Sequence, residues 1–275
     1  MPKEKILFVC QEMSPYTTDT PISKISRKLP QGIQEKGYEI RTFMPRYGSV
    51  NERRNQLHEV IRLSGMNLVI NDNDHSLILK VASISLSRLQ IYFIDNIDLF
   101  QRKFMFFDKS NKFFKDNDER LMFYTKGVIE TVKKLGWAPD VIHCQGWFAS
   151  LLPLYIKKVY IDNPLFTDTK IVLSVYDEAF DAVFNKNFEA KLKMDSIKES
   201  DISSIKSNDY LGLMKLAVDY SDGIIIGSET INPELESYIK NSKKNTLSYQ
   251  NEQSYINAYA DFYDKVLNNN KVLAE

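Results

Sequence analysis

The sequence contains none of the glycine-rich signatures that bind phosphate groups. The dinucleotide-binding pattern Gly-x-Gly-x-x-Gly and the P-loop are both missing, as are nucleophile-elbow and kinase signatures. The chain has only two cysteines, too few for a disulfide framework, and two free thiols suit a reducing compartment. Because no histidine or cysteine spacing typical of zinc occurs, neither a metal nor another cofactor is predicted.

Charge and hydropathy exclude further classes of protein. Lysine plus arginine number 36, as do aspartate plus glutamate, so the net charge is zero. A nucleic-acid binder needs a basic excess or stripe, and we expect no such partner. The apolar run at residues 6–10 is far too short for a signal peptide or a membrane span. We therefore expect a cytoplasmic protein with no membrane partner.

The most informative stretch present is residues 5–16. Its apolar run, Ile-Leu-Phe-Val-Cys, has no polar alternation and is typical of a strand buried on both faces. In open α/β sheets ligands lie beyond the carboxyl ends of such strands, so the loop at residues 11–21 is where a site is expected. A phosphate-binding loop would carry glycines there, whereas this one reads Thr-Thr-Asp-Thr-Pro at 17–21.

The order of predicted elements indicates an α/β fold. A helix at 22–36 and a strand at 38–44 complete a βαβ unit. Further buried strands are predicted at 140–144, 170–175 and 223–227, and further helices at 118–135, 147–160, 211–220, 232–240 and 253–267. We predict a Rossmann-like, doubly wound, mainly parallel sheet. Short apolar runs separated by turns at 57–94 indicate an antiparallel β insertion.

Two stretches keep alternative interpretations. Residues 99–115 contain six phenylalanines without a clear period, and they form either a loop packed onto the core by its rings or a platform on which a ligand stacks. The lysine-rich stretch 186–207 is predicted as a mobile loop or a loose helix.

Several polar residues follow predicted strands, where general acid–base groups can stand. Glu12, Asp177 and Glu178 are carboxylates in such positions. His143 lies near the end of its strand, and it either orients a ligand or caps a backbone group. From the residues alone, the prediction is an α/β protein with a site at one sheet edge.

In chain order these segments resemble the N-terminal domain of glycogen and starch synthases, retaining glucosyltransferases with the GT-B fold. The loop Glu-Met-Ser-Pro-Tyr resembles the family's E-V-A-P-F, and Met-Pro-Arg-Tyr-Gly resembles L-P-x-Y-G. Ile-His-Cys-Gln-Gly-Trp resembles I-H-x-H-D-W. The matching segments are residues 12–16, 29–30, 44–48, 142–147, 151–155 and 219–228. The resemblance implies one domain over 1–240, the single N-terminal half of a GT-B enzyme, with residues 241–275 forming a C-terminal helix that packs back on it.

The polar groups of the family motifs are altered. Thr18, Thr20 and Pro21 stand where the family loop K-T-G-G-L has its lysine and paired glycines, which contact the sugar nucleotide. Gln145 replaces the histidine of H-D-W, and Tyr176 replaces that of T-I-H-N. By resemblance the substrate-binding positions are Glu12, Thr18, Thr20, Gln145 and Trp147, and the catalytic candidates are Tyr176, Asp177 and His143.

The resemblance implies an ADP-glucose-dependent α-glucan glucosyltransferase, but the altered motifs predict a catalytically degenerate one. We expect a glucan-binding or accessory protein, whose partners are α-glucan or a sugar nucleotide, a separate synthase chain, or a second copy. Only 48 residues follow Gly227 in this sequence, too few for the family's nucleotide domain. One alternative is therefore the acceptor-side half of a split synthase, and another is a stand-alone enzyme with a rebuilt site.

Overall fold

The strands form one ten-stranded, mainly parallel sheet. The computed structural model describes residues 3–84, 87 and 89–268. The strands are β1 (Lys5–Cys10), β2 (Glu39–Pro45), β3 (His58–Glu59), β4 (Met66–Ile70), β5 (Asn73–Ile84), β6 (Leu89–Asp95), β7 (Val141–Gln145), β8 (Lys170–Val175), β9 (Gly223–Ile226) and β10 (Asn245–Leu247). Across the sheet they run β10-β9-β8-β7-β1-β2-β6-β5-β3, and β4 pairs with β5.

The sheet is wound in both directions from β1, which confirms the predicted doubly wound α/β fold. β2 and then β6 lie parallel to it on one side, and β7 to β10 follow in parallel on the other. The direction of winding reverses between β1 and β7. A crevice therefore opens beyond the carboxyl ends of these two strands, where ligands bind in such folds.

The helices include five of the six that were predicted, close to the predicted positions, and a short one at 97–100 that was not predicted. They are α1 (Pro21–Glu35), α2 (Ile97–Phe100), α3 (Asn117–Leu135), α4 (Leu152–Leu154), α5 (Phe188–Met194), α6 (Tyr210–Tyr220), α7 (Pro233–Asn241) and α8 (Tyr255–Asn268). The exception is the helix predicted at 147–160. That stretch is a 3₁₀ turn (Trp147–Ala149), the single turn α4 and a π-helical turn (Tyr155–Val159).

The stretch predicted as an antiparallel insertion, residues 57–94, belongs partly to the main sheet. β3 and β4 both pair antiparallel with β5, and β5 pairs antiparallel with β6. β6 also pairs parallel with β2, so it is the last parallel strand of the main sheet. Alternating burial in β4 and β5 distinguishes these strands from the almost fully buried β6.

The lysine-rich stretch 186–207 is more ordered than predicted. It contains α5 and a 3₁₀ turn (Glu199–Ile202). The ammonium group of Lys191 is buried and forms ion pairs of 2.6 Å with Asp118 and 2.8 Å with Glu119, both at the start of α3. Because a buried lysine is tolerated only when it is paired, these two carboxylates fix α5 against α3.

The end of the chain adds one more strand and a helix. The strand β10 was not predicted from the sequence; it follows β9 and pairs with it in parallel. The aromatic face of α8 is buried. The Tyr263 hydroxyl lies 2.7 Å from Nδ1 of His143 in β7, and Tyr38 donates a 2.7 Å hydrogen bond to Asp264. Helix α8 thus covers the sheet through both ring packing and hydrogen bonds.

Among the described residues, no helix has the length and apolar character needed to cross a membrane.

The packing of α8 predicts a large effect of shortening one of its rings. Phe262 is 4% exposed, so Phe262→Ala removes a ring from the core and should lower the free energy of unfolding by about 3–5 kcal/mol. Chemical denaturation followed by circular dichroism measures this change. The control is Asp261→Ala, at an exposed position of the same helix. Equal stability of the two variants would mean that the helix contributes little to the core.

Candidate functional site

A cleft of about 1000 Å³ lies beyond the carboxyl ends of β1, β7 and β8. Its walls come from the loop after β1, the phenylalanine-rich stretch 99–115, the loop after β8 and the turn after β9. The winding reverses at this edge of the sheet, which is the location expected from the sequence.

The side-chain amide of Gln11 connects three walls of the cleft. Its Nε2 donates a 2.7 Å hydrogen bond to Glu178 and a longer one, 3.4 Å, to Glu12. Its Oε1 accepts from the backbone N–H of Phe148 at 3.2 Å. The Gln11 carbonyl accepts a 2.8 Å hydrogen bond from the Tyr47 hydroxyl. One buried amide therefore holds the ends of β1 and β8 and the turn after β7 together.

A glycine makes room for this amide. Gly146 has φ +84°, and a Cβ atom at this position would lie 2.3 Å from the Gln11 side chain. Any other residue would both strain the backbone and displace Gln11. Gln145 and Gly146 stand where the family motif has His-Asp, and the glycine fits the close packing against Gln11 in this chain.

Glu178 is the most perturbed carboxyl group of the cleft. Its Oε2 accepts from Gln11, and its Oε1 accepts from the backbone N–H of Trp147 at 2.8 Å. Burial raises the pKa of Glu178 to about 8, although both hydrogen bonds favour the charged form. This carboxyl group is therefore largely protonated at neutral pH.

Glu12 lies beside Glu178 and is tied to the start of α1. Its Oε2 accepts a 2.9 Å hydrogen bond from the Thr20 hydroxyl. Burial raises the pKa of Glu12 as well, against the hydrogen bonds from Thr20 and Gln11. Thr20 is also the N-cap of α1, since its Oγ1 accepts from the backbone N–H of Ser23 at 2.9 Å. Its hydroxyl is thereby engaged within the protein.

Two predicted site residues are enclosed at the base of the cleft. Gln145 is fully buried. Its Oε1 accepts a 2.9 Å hydrogen bond from the Cys10 thiol, and its Nε2 donates a 3.3 Å hydrogen bond to the Tyr176 hydroxyl. Burial raises the pKa of Tyr176 well above its ordinary value, so the phenol stays neutral. The Tyr176 ring packs on Gly227, where a Cβ atom would lie 2.3 Å away.

The other predicted binding residues differ in position. Asp177 is exposed and lines the cleft, with its backbone N–H bonded to the Ser228 hydroxyl. Trp147 also lines the cleft, with its ring largely buried. Thr18 is exposed on the loop after β1 and does not contribute to the cleft wall.

His143 lies away from the cleft, under α8. It is fully buried, with Nε2 2.7 Å from the Ser174 hydroxyl and Nδ1 2.7 Å from the Tyr263 hydroxyl. Burial lowers its pKa to about 3, so the imidazole is neutral. Both ring nitrogens are thus bonded within the protein, Nε2 to β8 and Nδ1 to α8, and the catalytic role expected of His143 stays a prediction.

Gln11 and Phe180, one ring of the aromatic wall, were missed as site residues, and Glu178 was only one of several predicted carboxylates at strand ends. Gln11 and Glu178 each follow a buried strand, which is the signal that could have selected them together. The wall contains Phe107, Phe113 and Phe180. Phe107 and Phe113 belong to the stretch 99–115, for which a ligand-stacking platform was one of the two alternatives. The rings of Phe100 and Phe106 in the same stretch are packed in the core, as expected from the other alternative.

The charge of the cleft is one-sided. Among the described residues, its lining includes five carboxyl groups and no lysine or arginine. The carboxyl groups are those of Glu12, Asp177, Glu178, Asp181 and Glu229. Within the described part of the chain, no group of three or more histidine, cysteine, aspartate or glutamate side chains is arranged to hold a metal ion. The cleft thus offers hydrogen-bond acceptors and apolar rings, without a countercharge for a phosphate.

The family model for the starch synthase catalytic domain matches residues 5–248. The chain belongs to the starch synthase catalytic domain family. Among curated relatives, the glycogen synthase of Chlorobium limicola is 40% identical over 174 residues, covering 63% of this chain and 36% of that protein. The glycogen synthase of Chlorobaculum tepidum is 31% identical over 271 residues, covering 86% of this chain and 56% of the relative.

A solved structure of this family shares the fold. The catalytic domain of starch synthase IV from Arabidopsis thaliana, bound to ADP and acarbose, matches with a TM-score of 0.74 at 15% identity. The match covers 91% of this chain and 52% of the plant chain. The chain thus spans about half the length, or less, of the starch and glycogen synthases it matches.

The environment of the two cysteines predicts slow reaction with thiol reagents. Both are fully buried and unpaired, and burial raises the pKa of Cys10 to about 12 and that of Cys144 further. We expect the native protein to react with Ellman's reagent at least about 100-fold more slowly than the unfolded protein, because the thiolate is the reactive form. Thiol reaction in the Thr18→Cys variant, at an exposed position, is the control and should show one fast site. Two fast thiols in the unaltered protein would be inconsistent with these positions.

The raised pKa of Glu178 predicts that stability falls as the pH rises. The folded protein binds this proton with a pKa of about 8, compared with an ordinary value of 4.5. The stabilising effect is complete below the lower pKa and is lost as the pH rises through the upper one. Between about pH 6 and pH 8, the free energy of unfolding of the unaltered chain should fall by about 1–2 kcal/mol more than that of the Glu178→Gln variant. Urea denaturation at both pH values measures this.

The control for this pH dependence is Asp177→Asn, at the adjacent exposed carboxylate. This variant should keep the fall seen in the unaltered chain. If Glu178→Gln also keeps it, the carboxyl group of Glu178 is not the group that titrates.

Proposed function

We propose that this chain is a catalytically degenerate member of the family that binds α-glucan in the cleft and does not use a sugar nucleotide. The observation that carries the proposal is the lining of the cleft, in which the described residues supply five carboxyl groups and no cationic side chain. A diphosphate in such a cleft would lose its hydration without gaining a cationic partner among these residues. A neutral sugar chain meets hydrogen-bond acceptors without that cost.

The loop after β1 supports the same proposal. By the family resemblance, Thr18 and Thr20 stand where a lysine and a glycine contact the sugar nucleotide. The Thr20 hydroxyl is already engaged with Glu12 and with the N–H of Ser23. Pro21 at the first helical position has no N–H to donate. In the first turn of this helix the N–H of Ser23 is thus already bonded and Pro21 has none, which leaves the terminus poorly suited to a phosphate.

The base of the cleft lacks the groups that glucose transfer requires in the family. Tyr176 and Gln145 stand where the family has histidines, and both are buried and bonded to each other. An imidazole can gain or lose a proton near neutral pH, and its charge changes accordingly. A neutral phenol and an amide donate hydrogen bonds without changing charge, so they cannot replace the imidazole groups in this respect. The scaffold of a glucan enzyme is thus retained with a site suited to binding.

Calorimetry with two ligands tests the proposal. We expect maltoheptaose to bind the pure chain with a dissociation constant in the micromolar to millimolar range. ADP-glucose should show no binding at concentrations up to about 1 mM, since the loop offers no countercharge. The matched variant carries Thr18→Lys, Thr20→Gly and Pro21→Gly, which restore the family loop, and it should gain affinity for ADP-glucose. Tighter binding of ADP-glucose than of maltoheptaose by the unaltered chain would contradict the proposal.

The same sample distinguishes the split-synthase alternative. A separate chain carrying the nucleotide domain of a relative is added together with ADP-glucose and glycogen. Incorporation of radiolabelled glucose above the level of that chain alone would favour the acceptor-side half of a split synthase. A lack of incorporation, together with maltoheptaose binding, would favour the accessory role.

A further inference from the structure

Three half-buried phenylalanine rings line one wall of the cleft and form what we call the ring platform: Phe107, Phe113 and Phe180. The Phe113 ring centroid lies 5.3 Å from that of Phe107 and 4.9 Å from that of Phe180. The buried indole of Trp147 lies behind them, 5.1 Å from Phe180. These rings keep part of their apolar surface open to the cleft, whereas the neighbouring Phe106 is buried.

The ring platform is held in place by a buried arginine. Arg120 of α3 donates hydrogen bonds to the carbonyls of Leu99 (2.8 Å) and Met105 (2.6 Å), at the start and middle of the loop. Its guanidinium also lies over the rings of Phe100 and Phe148. Since a buried guanidinium is stable only when it is bonded, these contacts fix the loop to α3.

Two further contacts fix the loop. The side chain of Asn117 donates a 2.9 Å hydrogen bond to the carbonyl of Phe106. Arg102 and Asp116 form a two-point ion pair of 2.6 and 2.7 Å between the ends of the loop. Phe107 and Phe113 face each other across an antiparallel bridge. Phe107 and Phe113 are therefore presented from a loop whose backbone is fixed by these contacts, which lowers the entropic cost of binding a ligand.

Hydrogen-bond acceptors lie next to the open rings. The loop after β8 places Asp177 and Glu178 in the cleft wall, three and two residues before Phe180 in the sequence. A pyranose has an apolar face of C–H groups and an equatorial rim of hydroxyls. Apolar rings beside carboxyl oxygens match these two features of a neutral sugar.

From this arrangement we propose that the ring platform is the subsite on which a glucose unit of the glucan stacks, while the carboxyl groups of Asp177 and Glu178 accept hydrogen bonds from its hydroxyls. This inference rests on the proposed binding of glucan. It adds the position of the sugar and the residues that determine specificity for a neutral pyranose.

Titration of single-ring variants with maltoheptaose tests the subsite. Phe113→Ala and Phe180→Ala should each weaken binding by about five- to thirtyfold, because each removes one stacked surface. Phe113→Leu keeps apolar volume without a ring and should also weaken binding, while Phe113→Tyr should bind like the unaltered chain. Thermal melting of each variant checks folding. Phe104→Ala is the control, since this ring is 50% exposed on the same loop and does not line the cleft.

The outcomes separate this inference from the proposed function. If the unaltered chain binds maltoheptaose and the folded variants at 113 and 180 bind equally well, glucan binding stands and the ring platform is not its subsite. If Phe104→Ala weakens binding as much as Phe113→Ala, the loss is not specific to the platform and the inference is overturned. If the unaltered chain does not bind maltoheptaose, both the proposed function and this inference are wrong.

Discussion

The cleft depends on the buried amide of Gln11. Through four hydrogen bonds of its side chain and its carbonyl, this residue joins the ends of β1 and β8 to the turn after β7 and to Tyr47. An amide can donate to two carboxyl groups and accept from a backbone N–H at once, which neither a carboxylate nor an aliphatic side chain can do. Two neighbouring acidic groups therefore share one donor, and both have raised pKa values.

This arrangement favours a different ligand from the one that the family's catalytic chemistry requires. Phosphate binding needs cations, free N–H groups and close backbone approach, whereas at the start of α1 Pro21 has no N–H and the N–H groups of Thr20 and Ser23 are bonded to each other's hydroxyls. The carboxyl groups and the open rings instead suit a neutral, polyhydroxylated ligand with an apolar face. Fold and family are thus retained, and we propose that the cleft binds the acceptor class and not a sugar nucleotide.

The backbone plan could be predicted from the sequence, whereas much of the site could not. Unbroken apolar runs predict the parallel strands, and the order of motifs predicts the family. Sequence cannot show that the two nitrogens of His143 are enclosed by Ser174 and Tyr263, because these partners are 31 and 120 residues away. The role of Gln11 was missed for the same reason, since it depends on Glu178, 167 residues later. Polar contacts between distant strand ends are set by topology, which local patterns do not contain.

The most direct test of the account is a crystal structure of the chain grown with both maltoheptaose and ADP. The account predicts density for a glucose unit against Phe113 and Phe180, with its hydroxyls within hydrogen-bond distance of Asp177 or Glu178. It also predicts no nucleotide density at the N-terminus of α1. Clear density for ADP at the loop after β1, or a glucan bound only away from the cleft, would contradict it.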